Sequence, residues 1–241
     1  MVIQNINEVG QYIELKYQLS MNWRDARVQF HNLKVDEVMN SLSLEEQLSL
    51  WTPIIVFWNT KQQLKSLNDQ DSFASVRRSG KGTIIDRSMN SDIEVFKGKE
   101  NEITFSRVYS MKFYCDYQMA WYPFDIQTCS IQMVFDGVLD NYADILPGNL
   151  EFSGEKELTQ YYVKGYEIRE GSVQGKAAVV VSITLGRRLL GTFLTIFFPT
   201  IILNVIGFAT NFFKDFFFEV NKHNVQKLSC FRYTFLGCYH R

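Results

Sequence analysis

The chain has 241 residues, 46% hydrophobic and 21% charged, which suffices for one or two packed domains and excludes an intrinsically disordered chain. A formal net charge of -1 gives no overall field to gather nucleic acid, so no nucleic-acid partner is expected. Four cysteines in a chain of this length exclude a disulfide-dense scaffold.

Met1 to Asn7, MVIQNIN, has no basic region, apolar run or small-residue cleavage site, so no signal peptide is read there. Tyr12 to Trp23 alternates apolar and polar residues and predicts a half-buried strand. Ser43 to Leu50 predicts a short helix: Ser43 is the N-cap, Glu45 and Glu46 fill the first turn, and Trp51-Thr-Pro53 ends it. The turn Lys97 to Asn101 leads into a second alternating run, Asn101 to Phe113, and the same period returns after Cys129 and in AAVVVSITL from Ala177. Strands at short intervals separated by Gly, Asn and Asp turns predict an all-β fold, an antiparallel β-sandwich.

Leu189 to Thr210 then runs 22 residues without a charge, bounded by Arg187 and Arg188 before it and Lys214 and Asp215 after it. As a helix at ~1.5 Å per residue it crosses ~30 Å of hydrocarbon. A soluble core helix is seldom apolar on every face for so long, and Pro199 is better tolerated in a membrane span than in a soluble helix.

A β-domain outside the cytoplasm would place Cys115 and Cys129 in an oxidising space, where a clasp would contribute ~3 kcal/mol. Two unrelated thiols are the alternative. Enzyme chemistry finds no support. There is no Gly-x-Ser-x-Gly and no His-Glu-x-x-His, the three histidines are isolated, and Ser79-Gly-Lys-Gly-Thr83 has Ser75 where a phosphate loop needs its first Gly. Cys230, Cys238, His223 and His240 fit no structural zinc spacing, so neither metal nor cofactor is expected.

The stretch CDYQMAWYPFDIQTC, Cys115 to Cys129, resembles the signature of Cys-loop pentameric ligand-gated ion channel subunits, the neurotransmitter receptors. WRDARVQF from Trp23 resembles the family's Trp-x-Asp segment, and LWTPIIVFWNT from Leu50 its Trp-x-Pro stretch. Arg187-Arg188 followed by Pro199 is similar to its entry into the first membrane helix, and the resemblance spans residues 3 to 219. It implies a Cys115–Cys129 disulfide and an extracellular ligand-binding β-sandwich over residues 1–188 whose N-terminus is incomplete. A transmembrane α-helix with the start of the next loop follows over 189–219. Residues 220–241 are expected to be an aberrant or alternative tail, because no run there is long and apolar enough for a pore helix.

The implied function is ion transport gated by a small-molecule agonist held between subunits of a pentamer, at the plasma membrane and in a postsynaptic setting. Implied coupling residues are Tyr122, Pro123, Phe124, Asp125, Arg187 and Arg188. Asp125 is expected either to pair with one of the two arginines or to cap its own turn. Trp58, Phe135, Tyr162 and Gln18 are the ligand-binding candidates, with a core tryptophan as the other reading of Trp58. Glu219 falls where cation-selective members place an acidic ring.

The binding site departs from the family: Gln18 stands where an aromatic is common, and the hairpin Ile168 to Ala178 contains no aromatic. Glu167, Arg169, Glu170 and Lys176 around that hairpin would contact a polar ligand or simply face solvent. The alternative function is a poreless, membrane-tethered sandwich acting as a ligand decoy or dominant-negative assembly partner.

Overall fold

The computed structural model describes residues 1–60, 65–88, 91–136 and 143–212. Glu219, Cys230, Cys238, His223 and His240 lie outside the described residues. The chain divides into two units, Met1–Arg188 and Leu189–Arg241.

The first unit is built from antiparallel strands in three sheets. One sheet runs in the order β1 (Val2–Asn7), β2 (Tyr12–Trp23), β8 (Glu102–Tyr114) and β5 (Ser72–Arg77). The second runs β10 (Tyr161–Val173), β11 (Lys176–Arg187), β9 (Ile126–Phe135) and β4 (Ile55–Phe57). A small third sheet joins β3 (Gln29–His31), β7 (Ser91–Lys97) and β6 (Thr83–Ser88).

The alternation in β2 is what closes the first two sheets over a shared core. Ile13, Leu15 and Tyr17 point inward opposite Phe113, Met111 and Tyr109 of β8, while Lys16 and Gln18 face outward. From the second sheet come Cys129, Ile131 and Met133 of β9, opposite Ile183, Val181 and Val179 of β11. Phe57 of β4 enters between the layers and meets Tyr17, Tyr109 and Phe113 at ring distances of 6.0, 5.5 and 6.3 Å. Such aromatic pairs add ~0.5–1.5 kcal/mol each beyond the area they bury. A smaller cluster of Phe30, Leu33, Val76, Phe96 and Ile103 anchors the third sheet.

The helix α1 (Leu44–Ser49) forms where its caps predict, with a full capping box. The Ser43 hydroxyl accepts from the Glu46 amide, and the Glu46 carboxylate accepts from the Ser43 amide at 2.7 Å. β8 begins one residue later than its alternation suggests, because Asn101 caps the preceding turn. Its side chain is fully buried, accepts from the amides of Ser79 and Gly80, and donates to the Lys97 carbonyl.

In the second unit, Leu189–Thr210 is one helix with a mean hydropathy of 2.1, long and apolar enough to cross a membrane. It opens as α2 (Leu189–Thr192), widens to a π-helical turn over Phe193–Phe197, and resumes as α3 (Phe198–Phe212). Pro199 has no amide hydrogen and crowds the turn before it, which accounts for the wider pitch there. The hydroxyls of Thr195 and Thr200 donate back to the carbonyls of Gly191 and Ile196, so the helix satisfies these polar groups internally.

Candidate functional site

One end of the sandwich gathers the only buried arginine among the described residues. β8 and β9 are tied there by a Cys115–Cys129 disulfide with a Cα separation of 5.0 Å. The loop between them passes through a cis Tyr122–Pro123 peptide and returns to β9 at Asp125. Arg187 closes β11, opposite Tyr161 at the start of β10, and Glu8 lies in the turn joining β1 to β2. Side chains from four separate stretches of chain therefore meet at one guanidinium.

Arg187 Nε donates to Asp125 Oδ1 at 2.6 Å and Nη2 to Asp125 Oδ2 at 2.9 Å, a bidentate pair. Nη1 donates to Glu8 at 2.8 Å, and Nη2 also donates to the Tyr161 hydroxyl at 2.6 Å. The Tyr161 hydroxyl in turn donates to Glu8 at 2.6 Å. The guanidinium lies 4.7 Å from the ring centres of both Tyr122 and Tyr161, so aromatic faces flank it where carboxylates do not. Only 4% of the Arg187 side chain and 2% of that of Asp125 reach solvent.

Gln127, two residues beyond Asp125, completes the network. Its amide donates to Asp125 Oδ2 at 2.6 Å and to the Gln118 carbonyl at 2.9 Å, and its carbonyl accepts from the Gln118 amide at 2.9 Å. Burial works to raise the Asp125 carboxyl, but hydrogen bonds from Arg187 and Gln127 and the charge of Arg187 outweigh it and hold the group below the usual carboxylate range. Burial likewise opposes the charge on Arg187, and its bonds to Asp125 and Glu8 reverse that and raise it. Burial, reinforced by the bond to Glu8, pushes the Tyr161 hydroxyl up and keeps it a donor.

Arg188 points to the other side of the strand, as an adjacent residue must. It is about half exposed and donates to the Leu158 carbonyl at 3.2 Å. Of the two arginines it is Arg187 that meets Asp125. Beyond the pair, the loop tip is apolar and open, with Trp121 80% and Phe124 72% exposed.

The ligand-binding candidates do not gather in one place within the chain. Trp58 lies in the turn after β4, half-buried, and its amide donates to the Gln132 carbonyl of β9 at 2.9 Å. Phe135, expected to serve a ligand, is 8% exposed and lies in the core opposite Ile55 of β4. Tyr162 lies near the start of β10, at the far end of the strand from the hairpin. Strand register sets it opposite Gly186, which is opposite Ile126 of β9, six residues or ~20 Å along the strand from the level of Trp58. A Cβ on Gly186 would come within 2.5 Å of the Tyr162 ring, so the absent side chain is the seat for this tyrosine beside Arg187. Gln18 is exposed on the outward face of β2, in the other sheet.

The register brings a different residue to the level of Trp58. Arg169 of β10 is opposite Val180 of β11, which is opposite Gln132 of β9, the residue that receives the Trp58 amide. Arg169 pairs loosely with Glu167 at 3.7 Å, and both side chains are 64% exposed. Glu8, Tyr161 and Gln127 were missing from the sequence reading. The only local hint was the spacing of Gln127 from Asp125, which places both at the start of one strand.

Residues 1–136 match the model of the family described as the neurotransmitter-gated ion-channel ligand binding domain. No curated protein matches the chain. The matched span takes in β1 to β9 and the disulfide-closed loop with Asp125, more than half of the chain. The chain belongs to the neurotransmitter-gated ion-channel family and carries its ligand-binding domain, a disulfide-closed antiparallel β-sandwich ahead of an apolar helix.

Proposed function

We propose that the chain is a subunit of an extracellular ligand-gated ion channel, assembling in a pentamer and binding a small neurotransmitter-like molecule between subunits. In this reading residues 1–188 are the extracellular binding domain at the plasma membrane, 189–219 enter the membrane and the following loop, and 220–241 form a separate tail. The observation that carries the reading is the position of β11. This strand starts at the exposed hairpin, passes the level of Trp58, and ends on Arg187, two residues before the apolar helix begins.

A hydrogen-bonded strand transmits displacement along its length better than a loop does, because its backbone is held on both sides by β10 and β9. Ligand held near Trp58 and Arg169 shifts the hairpin end. The shift arrives at a guanidinium already bound to Asp125 in the Cys-loop and Glu8 in the β1–β2 turn. Tyr122, Pro123, Phe124 and Asp125 then move with Arg187, and Arg188 anchors the outer side of the strand through the Leu158 carbonyl. The charged hairpin favours a ligand with both an anionic and a cationic group. Trp58 offers an aromatic face, and Gln18 of a neighbouring copy a hydrogen bond.

The test is a titration of the purified chain with a panel of amino-acid and amine transmitters, read by tryptophan fluorescence. The reading predicts saturable quenching by at least one zwitterionic member, lost in Trp58→Phe and weakened in Arg169→Ala. A response that survives both substitutions would place the ligand elsewhere.

A further inference from the structure

The Cys-loop presents one reactive side chain to the buried guanidinium that the coupling account does not use. Met119 Sδ lies 3.5 Å from Arg187 Nη2, and the residue is 37% exposed. Its position is therefore double: open to solvent on one side and in contact with the central cation on the other. Among the described residues, Met21, Met111 and Met133 are 7–8% exposed and lie in the core. Met39 is 71% exposed and far in sequence from this network, on the short 3-10 turn Glu37–Asn40.

We propose that Met119 is a reversible oxidation site through which a hydroperoxide loosens the Arg187 network. In the step, the thioether sulfur attacks one oxygen of the peroxide, the O–O bond breaks, and an S=O bond forms. Sulfur loses two electrons, the peroxide gains them, and the second oxygen leaves as water or alcohol with the proton. The product replaces a weak acceptor with a strong one at the same place.

The consequence follows from counting hydrogens on Nη2. It has two, one given to Asp125 Oδ2 at 2.9 Å and one to the Tyr161 hydroxyl at 2.6 Å. Nη2 already touches the Met119 sulfur, so a sulfoxide oxygen placed there competes for one of them. The bond to the carboxylate is between opposite charges and the bond to the phenol is not, so the phenol loses its donor. Tyr161 is 1% exposed, so its oxygen finds no water in exchange and keeps only the bond it donates to Glu8, and the loss of a buried charge-assisted bond destabilises the fold. This goes beyond the ligand and channel reading and stands without it.

The experiment uses the full purified chain in detergent, treated with hydrogen peroxide and then with methionine sulfoxide reductase. Peptide masses locate the added oxygen, and thermal unfolding is followed in wild type, Met119→Leu and Tyr161→Phe. The expected result is oxygen on Met119 and Met39 but not on Met21, Met111 or Met133, with a fall in the unfolding midpoint that the reductase reverses. The fall disappears in Met119→Leu and shrinks in Tyr161→Phe, which has no hydroxyl to lose the bond from Arg187. The proposal is overturned if Met119 stays reduced while Met39 is oxidised, or if the fall in Tyr161→Phe equals that in wild type.

Discussion

The two ends of β11 are built on opposite principles. At Arg187 each guanidinium nitrogen donates to a partner, the side chain is almost fully buried, and the partners come from distant parts of the chain. At the hairpin the charged side chains stand in solvent, Glu167 and Arg169 are each 64% exposed, and β10 is an edge strand. Buried charge has one arrangement that satisfies it and many that do not, so the Arg187 end resists small displacements and answers large ones as a unit. The hairpin end has little to lose by moving, which suits a segment that must open and close on a ligand.

The largest expected effect lies at the buried end. Arg187→Ala strands Asp125 without its cation and should cost ~3–5 kcal/mol, seen as a large fall in the urea midpoint. Asp125→Asn should cost less, since the amide still accepts from Arg187 while the charge is lost. Reduction of the Cys115–Cys129 disulfide, or Cys115→Ser with Cys129→Ser, should cost ~2–5 kcal/mol in the same assay.

Acid should single out the same end. The folded-state pKa of Asp125 lies below its unfolded value of ~3.9, so its contribution is present above that value and is lost as pH falls through the lower, folded one. Acid unfolding of wild type should therefore steepen below about pH 4, and Asp125→Asn should flatten that limb. The smallest effect belongs to the hairpin. Glu167→Ala or Arg169→Ala should change stability by under ~0.5 kcal/mol, because an exposed pair is screened and its side chains are free to rotate. A large stability loss there would erase the contrast between the two ends.

Beyond the described residues, Glu219→Gln in a channel assembled with pore-bearing subunits should move the reversal potential. An unchanged potential would separate Glu219 from selectivity.

Local pattern carried much of the fold. The alternation of β2 matches the strand limits Tyr12–Trp23, and the Ser43 cap begins α1. A two-residue period reports which face of a strand is buried, and a cap reports where a helix starts, both within a few residues. Register between strands is a long-range quantity that no local pattern encodes. Nothing near Tyr162 says that it pairs with Gly186 at the Arg187 end, and nothing near Phe135 says that Ile55 covers it. Asp125 and Arg187 were legible through their motif. Glu8 and Tyr161 were not, since they become neighbours only when β1–β2 and β10 close over the same point.

The most direct measurement is a double-mutant cycle on urea unfolding of the purified chain, with Asp125→Asn, Arg187→Gln and both together. If the pair acts as one unit, the second substitution should cost much less once the first is present, with a coupling of ~1–3 kcal/mol. Additive losses, with coupling near zero, would mean that Asp125 and Arg187 do not hold the Cys-loop to the last strand.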